Sequence, residues 1–392
     1  MNTGYIKSLD GVRALAIILV MTFHAGITHF GWMGVQLFFV LSGYLITGIL
    51  WKEKFTDTSV GVKLKRFWSR RSLRIFPLYF GYLLVLGFVY LAVQFPAYYG
   101  VNIPYLITYT FNYTRTFPGW QGNPLFTHLW SLSVEEQFYL FFPFVIFFSS
   151  ARFVKWILLF FIIAAPVTRF LLGGYYTGQG LSAATVADAV YWNTISHLDA
   201  FFIGGIIPVL SLQKKISQPK RWFLLFLLLV VIAGIINFLS GSGNPYLSDL
   251  GYRHGQIDNY EHVWQYTLLN FVYAAFILFI IKAAVNKQRS FAIRFLENPW
   301  LVKIGKVSYG MYLFHWSILV YGFDRFFPVS GMTQRILLFI PYLLAVYLVA
   351  AASFRFYESW FLKWKDSNLF NSKAKSIANP APATINEMED KH

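Results

Sequence analysis

The chain has 392 residues, of which 57% are hydrophobic and only 13% are charged. Soluble domains usually carry about 25% charged residues, so this composition excludes a soluble globular protein and predicts one that lies almost entirely in the bilayer. The formal net charge of +16 does not indicate nucleic-acid binding, because the basic residues alternate along the chain with apolar segments. The absence of cysteine excludes disulfides, thiolate catalysis and cysteine metal sites.

Ten apolar segments follow one another along the chain. Each is close to the roughly 20 residues that cross about 30 Å of hydrocarbon as a helix. They predict an all-α fold, a polytopic membrane bundle of about ten transmembrane helices. Their approximate bounds are 9–29, 33–51, 76–96, 129–150, 154–172, 196–212, 222–240, 263–282, 305–323 and 335–356.

Lysine and arginine are concentrated in every second connection between these segments. By the positive-inside rule, the basic connections lie on the cytoplasmic side of the membrane. Because the number of spans is even, we predict that both termini are cytoplasmic. The basic connections are 52–75, 151–156, 213–221, 282–306 and 357–392.

The chain divides into two predicted parts that differ in polarity. Residues 1–362 carry all the spans and form a membrane-embedded domain. Residues 363–392 become polar, are rich in Ser, Asn, Pro and Ala, and contain the acidic run Glu-Met-Glu-Asp close to the end. This composition predicts a disordered cytoplasmic tail.

Charged and titratable side chains within spans are candidate functional residues, because each costs at least about 2.5–3.5 kcal/mol to insert. Arg13 and His24 share the first span. Glu135 and Glu136 lie on the fourth. The helical rise places Glu135 about 21 Å and His24 about 22 Å above the cytoplasmic face, so the two can pair.

A carboxylate paired with His24 would raise the basicity of the imidazole, as general-base catalysis requires. Neighbouring helix positions point about 100° apart, so only one of Glu135 and Glu136 is expected to face His24. Structural alternatives exist for both groups. The histidine can hydrogen-bond to a neighbouring helix, and the carboxylate can form an ion pair that only holds helices together.

Arg71 and Arg74 lie in the run RFWSRRSLRIFP at the start of the third span. Their three-residue spacing places both on one helix face, where two guanidinium groups suit phosphate oxygens. Contact with anionic lipid on the cytoplasmic side explains the same run, and this alternative is favoured when the run is considered alone. Asp199 and His315 also fall within predicted spans, where each can either line a polar cavity or hold helices together.

Seven motifs follow one another along the chain and cover roughly residues 5–362. Arg13 and His24 have the spacing R-x10-H, and Arg71 and Arg74 the spacing R-x-x-R. The motifs read LDGVRALA with the following His24, GVQLFFVLSGYLITGIL, RRSLRIFP, HLWSLSVEEQFYLFFP, HLDAFFIGG, VSYGMYLFHW and RFYESWF. In this order they resemble the acyltransferase 3 family of bacterial membrane O-acyltransferases.

The resemblance implies transfer of an acyl group, most often acetyl, from a cytoplasmic coenzyme A thioester to a hydroxyl of a sugar or lipid-linked glycan at the outer side. It implies that His24 is the essential histidine, with Glu135 and Glu136 as the paired acidic motif. It also implies that Arg13, Arg71 and Arg74 handle the donor. Glu358 matches the glutamate of a closing E-x-P motif, in which Trp360 replaces the proline here.

These implications also concern cofactors, partners and location. Acetyl-CoA or another acyl-CoA is expected as a donor substrate, with no permanently bound cofactor and no metal. The expected partners are the glycan acceptor and membrane lipids, and the expected location is the bacterial cytoplasmic (inner) membrane. Some members of the family carry a C-terminal hydrolase-like domain outside the membrane, and here such a domain is expected to be absent or on another protein.

The predicted mechanism brings donor and acceptor together from opposite sides of the membrane. Arg71 and Arg74 hold the coenzyme A phosphates, the pantetheine arm passes Arg13, and His24 removes the proton of the acceptor hydroxyl. The sequence leaves open whether an acyl-histidine intermediate forms. The alternative is a proton-coupled transporter or exporter. The sequence argues against it, because it shows no pair of spans broken by Gly or Pro, which would mark inverted repeats. A sensor or scaffold with structural polar residues is a third possibility.

The topology can be tested with reporter fusions. Because the basic connections are predicted to be cytoplasmic, fusions at residues 60 and 375 should both report the cytoplasm, and a fusion near residue 115 should report the outer side. The measurement is the activity of paired reporters that work on opposite sides of the membrane, normalised to expression. An outer-side signal at residue 60 or 375 would contradict the ten-span topology.

Overall fold

A computed structural model describes residues 5–240, 249–253, 255–288, 290–329 and 331–366. Within these residues all the regular elements are helical, which confirms the predicted all-α fold. The helices are α1 (Lys7–His24), α2 (Met33–Lys54), α3 (Val60–Val93), α4 (Tyr99–Ile107), α5 (Trp130–Phe148), α6 (Ala151–Gly178), α7 (Ala183–Trp192), α8 (Leu198–Val209), α9 (Leu212–Lys215), α10 (Pro219–Ser240), α11 (Glu261–Val285), α12 (Phe291–Leu296), α13 (Pro299–Lys306), α14 (Ser308–Ile318), α15 (Asp324–Phe326), α16 (Met332–Ser353) and α17 (Ser359–Asp366).

Seven helical segments of the described chain are long and apolar enough to cross a membrane: Met33–Lys54, Val60–Val93, Thr127–Phe148, Ala151–Gly178, Pro219–Ser240, Glu261–Val285 and Met332–Trp364. The apolar segment Ile195–Val209 is shorter. Helix α1 carries three charged residues among 18, and α14 gives way to a π-helical turn after 11 residues. A polytopic membrane bundle is therefore confirmed, whereas the count of ten spans and the side of both termini stay predictions.

The predicted division of the chain at residue 362 falls within a helix and stays a prediction. Helix α17 continues to Asp366, so the first four residues assigned to the tail are helical. The rest of the predicted tail, residues 367–392, lies outside the described residues.

Glycines allow α2 and α8 to touch along their backbones. A Cβ on Gly43 would lie 2.0 Å from the carbonyl oxygen of Phe201, and a Cβ on Gly204 would lie 2.1 Å from that of Val40. Small residues that let helix backbones approach are typical of membrane bundles, where dispersion and not the hydrophobic effect holds helices together. This contact fixes α2, the helix that contributes most of the apolar wall of the cavity described below.

Two lysines join the ends of α2, α3 and α5. The Lys54 ammonium donates to the carbonyl oxygens of Ile146 (2.7 Å) and Ser149 (2.6 Å) at the end of α5. The Lys63 ammonium donates to the carbonyls of Lys54 (3.2 Å) and Thr56 (2.8 Å) at the end of α2. Each lysine satisfies carbonyls that have no partner within their own helix and places a positive charge at a helix C-terminus. These three helices therefore have fixed relative positions at this end of the bundle.

The α2–α8 contact predicts different effects for two glycine substitutions on one helix. Gly43→Ala should lower the melting temperature, because its methyl group would clash with backbone and overpacking typically costs about 1–3 kcal/mol. Gly48→Ala should be neutral or stabilising, because the new Cβ would lie 3.7 Å from Pro208 and alanine favours helix by about 1 kcal/mol over glycine. Thermal unfolding of both variants in detergent is the measurement. Equal melting temperatures would contradict the close approach.

Candidate active site

A cavity opens between α1, α2, α3, α5 and α14, and we call it the central cavity. It encloses about 890 Å³ of empty space, part of it open to solvent. On α2 its wall runs from Val35 to Ile46, which corresponds to about 16 Å of helical rise. Its polar lining residues are Arg13, Ser42, Arg71, Arg74, Ser131, Glu135, Glu136, Tyr139, Ser308, Tyr309 and Tyr312.

The three arginines that the sequence singled out all line this cavity. Arg13 donates to Asp10, which also accepts a hydrogen bond from the Tyr5 hydroxyl. The Arg71 guanidinium lies over the ring of Tyr139, 5.2 Å from its centroid. The structure therefore brings Arg13, Arg71 and Arg74 together, although they come from two helices more than 50 residues apart in sequence.

A second, more basic cavity shares Arg71 and Arg74 with the central one. It encloses about 780 Å³ and lies towards the C-terminal end of α2. Among the described residues, its only acidic lining residue is Glu53, which forms an ion pair with Arg66 at 3.4 Å. We call it the basic cavity, and its lining residues are Ile49, Leu50, Glu53, Lys63, Arg66, Phe67, Arg70, Arg71, Arg74 and Phe147.

Both predicted glutamates line the central cavity, but in different surroundings. Glu135 accepts a hydrogen bond from the Ser42 hydroxyl at 2.7 Å, and Ser42 in turn accepts one from Tyr139 at 3.2 Å. The Oε1 atom of Glu136 is buried and has no hydrogen-bond partner among the described residues. The cavity therefore contains one carboxyl group that is held in place and one with a free acceptor atom.

His24 ends α1 and lies beyond the central cavity. Its ring packs against Trp316 at 4.1 Å and His315 at 5.0 Å between centroids. Glu135 bonds to Ser42 on α2, and the pairing of a glutamate with His24 stays a prediction.

Tyr312 separates the central cavity from His24. Its ring lines the cavity and lies 5.4 Å from the His315 ring, which in turn contacts His24. The Tyr312 hydroxyl donates to the carbonyl of His128 (2.9 Å) and is hydrogen-bonded to Ser131 (2.5 Å). The rings of Tyr312 and His315 thus connect the cavity wall to the imidazole, at what we call the histidine end of the cavity.

Three imidazoles lie together at the histidine end. His315 lies between His24 and His128, whose ring centroid is 5.2 Å away. His315 donates from Nδ1 to the carbonyl of Tyr312 (2.6 Å), and His128 donates from Nε2 to that of Leu313 (3.1 Å). Across the described residues, no group of three or more His, Asp or Glu side chains has an arrangement that could hold a metal ion.

Sequence comparison with known proteins assigns the chain to a family. The sequence matches the acyltransferase 3 family, described as an acyltransferase domain, over residues 6–355. The chain belongs to this family. Two Staphylococcus aureus proteins named O-acetyltransferase OatA, from strains NCTC 8325 and COL, are each 32% identical over 375 residues, which is 91% of this chain. A protein of strain COL with the provisional name O-acetyltransferase is 31% identical over 384 residues, or 92% of this chain.

The chain covers only part of these acyltransferase relatives. It spans 57% of the length of each OatA protein and 58% of the third relative. No solved structure gives a significant match.

Asp199, from the HLDAFFIGG motif that suggested the acyltransferase 3 family, lies outside the central cavity. Its carboxylate pairs with Arg169 at 3.0 Å, and both side chains are completely buried. Arg169 also donates to the carbonyls of Ser196 and Val263, and Asp199 accepts from Thr267. The sequence interpretation missed Arg169 because the span 154–172 was assigned by its apolar character. This network joins α6, α8 and α11, so it corresponds to the helix-holding alternative.

The closing motif of the chain lies close to the central cavity. Glu358 is buried at the end of a π-helical turn and accepts a hydrogen bond from Ser353 at 3.2 Å. Arg74 lies within electrostatic range of its carboxyl group. Trp360, which stands where the family usually has proline, is exposed on α17. The departure from the motif therefore lies on the surface.

The Asp199–Arg169 pair predicts a structural effect that differs from that of an exposed ion pair. Asp199→Asn should strongly lower the melting temperature, because breaking one side of a buried pair typically costs about 3–5 kcal/mol. Asp188→Asn is the control, since the Asp188–Arg115 pair is partly exposed and such pairs contribute about 0–1 kcal/mol. The measurement is thermal unfolding in one detergent at one pH. A small effect of Asp199→Asn, like that of the control, would contradict the buried network.

Proposed function

We propose that this acyltransferase moves an acetyl group from cytoplasmic acetyl-CoA to a hydroxyl of a sugar or lipid-linked glycan at the outer side of a bacterial cytoplasmic membrane. The observation that carries the proposal is the central cavity, which has three arginines and two glutamates in its wall and is connected to His24 through the rings of Tyr312 and His315. The family match and the names of the O-acetyltransferase relatives support the reaction type. Because the chain spans only part of those relatives, the activity is part of the proposal.

The two cavities suit the two ends of the donor. Coenzyme A carries its negative charge on phosphates at one end and its thioester at the other. The basic cavity offers four arginines and a lysine for the phosphates, and guanidinium groups bind phosphate oxygens in a bidentate manner. Arg71 and Arg74 line both cavities, so a donor held on them can extend its pantetheine arm into the central cavity. Acetyl-CoA is then a substrate and no permanently bound cofactor is needed.

The glutamates act on the donor in this proposal and not on His24. The pantetheine arm contains two amide N–H groups, and carboxyl oxygens are suitable acceptors for them. Glu136 has a buried oxygen without a partner among the described residues, and Glu135 is held beside it. Fixing the arm in this way would place the thioester near the histidine end, and such positioning can contribute a large part of a rate enhancement.

His24 is the general base of the proposed reaction. It removes the proton of the acceptor hydroxyl while the oxygen attacks the thioester carbonyl, the C–O bond forms and the C–S bond breaks. The proton then passes from His24 to the leaving sulfur, so coenzyme A departs as the thiol. Because Tyr312 lies between the cavity and His24, its ring has to move for the thioester to reach the imidazole.

The test is acetyl transfer by the purified protein. With labelled acetyl-CoA and a panel of glycans and lipid-linked sugars, wild type should form acetyl esters and release coenzyme A. His24→Ala should lower the rate by about 10²–10⁴-fold, which is typical for loss of a proton-transfer group. His29→Ala is the matched control, because this histidine is half exposed and bonded to Asp249, and it should retain activity.

Two results would contradict the proposal. Absence of both ester formation and coenzyme A release in well-folded wild type would remove the transferase function. Near-normal transfer by His24→Ala, with a melting temperature like that of wild type, would leave the reaction but remove His24 as its base.

A further inference from the structure

Four side chains form a continuous chain of contacts along one wall of the central cavity. The Arg71 guanidinium lies over the Tyr139 ring, the Tyr139 hydroxyl donates to Ser42, and Ser42 donates to Glu135. Arg71 lies on α3, Tyr139 and Glu135 lie on α5, and Ser42 lies on α2. The first contact therefore joins α3 to α5, and the other two join α5 to α2. The chain links the arginine shared with the basic cavity to a glutamate deep in the central one.

We infer that Ser42 and Tyr139 are positioning residues, and that the two parts of Tyr139 have separate tasks. The ring holds Arg71 for the phosphates of the donor, while the hydroxyl acts through Ser42 to hold Glu135 against the pantetheine arm. The inference rests on the proposed function, but it concerns two residues to which neither the motif resemblance nor the comparisons assign a role.

The geometry at Tyr139 supports this separation. A guanidinium 5.2 Å from the ring centroid is within the range of a cation–π interaction, which contributes about 0.5–2 kcal/mol depending on solvation. The Tyr139 ring is buried, and its backbone carbonyl accepts a hydrogen bond from Trp68 at 3.1 Å. The ring is confined by burial, and Arg71 contacts its face and not its hydroxyl, so removal of the hydroxyl should leave the Arg71 contact intact.

The geometry at Ser42 explains why Glu135 needs support. Glu135 has several rotatable bonds and faces a cavity, so it would sample several rotamers without a fixed partner. Ser42 gives it one donor at 2.7 Å, and Tyr139 orients that donor by occupying the Ser42 lone pair. Ser42 lies beside Gly43, whose backbone contact with Phe201 fixes this turn of α2. The hydroxyl that holds Glu135 is therefore itself on a rigid turn.

The inference predicts a split between donor affinity and turnover. Ser42→Ala should lower kcat about 10- to 100-fold, because it leaves the buried Glu135 carboxyl without its hydrogen-bond donor, and should weaken coenzyme A binding less than loss of the Tyr139 ring does. Tyr139→Phe should lower kcat about 2- to 10-fold, again with a smaller effect on affinity than loss of the ring. Tyr139→Leu should lower kcat similarly and also weaken coenzyme A binding about 2- to 30-fold, because the ring is lost. Ser42→Thr keeps the hydroxyl and should restore most of the kcat.

The measurements are steady-state acetyl transfer and, separately, calorimetric binding of coenzyme A to each purified full-length variant at one ionic strength. Tyr99→Phe is the control, because it also removes a buried tyrosine hydroxyl bond, to the carbonyl of Leu83, away from the cavity. It should change neither quantity, whatever it does to stability.

Each outcome bears on the inference. Equal coenzyme A affinity of Tyr139→Phe, Tyr139→Leu and wild type would show that the Tyr139 ring does not hold Arg71 for the donor. Unchanged kcat in Ser42→Ala would show that the hydroxyls do not position Glu135. The same conclusion would follow if Ser42→Thr had the melting temperature of wild type but did not recover kcat. If wild type binds coenzyme A but transfers no acetyl group, the proposed function and the hydroxyl task both fail, and the binding series still decides the task of the ring.

Discussion

A charged side chain inside this bundle is stable only if an opposite charge or a water-accessible cavity compensates for lost hydration. The structure uses both solutions in different places. Arg169 and Asp199 are completely buried and neutralise each other, and every further donor of Arg169 meets a carbonyl or a hydroxyl. Arg71 and Arg74 instead open onto two cavities. The first arrangement has no room for a ligand, whereas the second leaves charge available for one.

Helix α2 connects the rigid part of the bundle to the open part. On one face, Gly43 lies against the backbone of α8, so this turn cannot shift without a clash. On the neighbouring face, Ser42 contacts Glu135 in the cavity wall. Lys54 at the end of α2 and Lys63 near the start of α3 join α2, α3 and α5 a few turns away. The cavity wall is therefore positioned by contacts that lie outside the cavity, and its own side chains are left for binding.

Much of this arrangement could be predicted from the sequence, because charged residues in apolar segments are conspicuous. Arg13, Glu135 and Glu136 were identified in this way, Arg71 and Arg74 were identified by their three-residue spacing, and all five line one cavity. The hydrogen bond from Ser42 to Glu135 could not be predicted, because residue counting gives height along a helix but not the direction of a side chain around it. Ser42 and Tyr139 could not be found, since serine and tyrosine are common in membrane helices and only the packing of α2 on α5 brings them together. The number of membrane spans could not be determined from the hydropathy pattern either, because α8 and α14 are apolar but short.

The histidine end of the central cavity would have an electrical consequence for the proposed reaction. In an energised membrane the voltage falls mainly across material that water does not enter, and a deep cavity shortens that distance. Here the rings of Tyr312 and His315 connect the cavity wall to His24, so part of the voltage would fall across them. Moving one elementary charge through the whole field corresponds to about 2.3 kcal/mol per 100 mV. If His24 is the proposed base, the proton that it accepts would be coupled to the membrane potential, and acetyl transfer would depend on voltage as well as on its substrates.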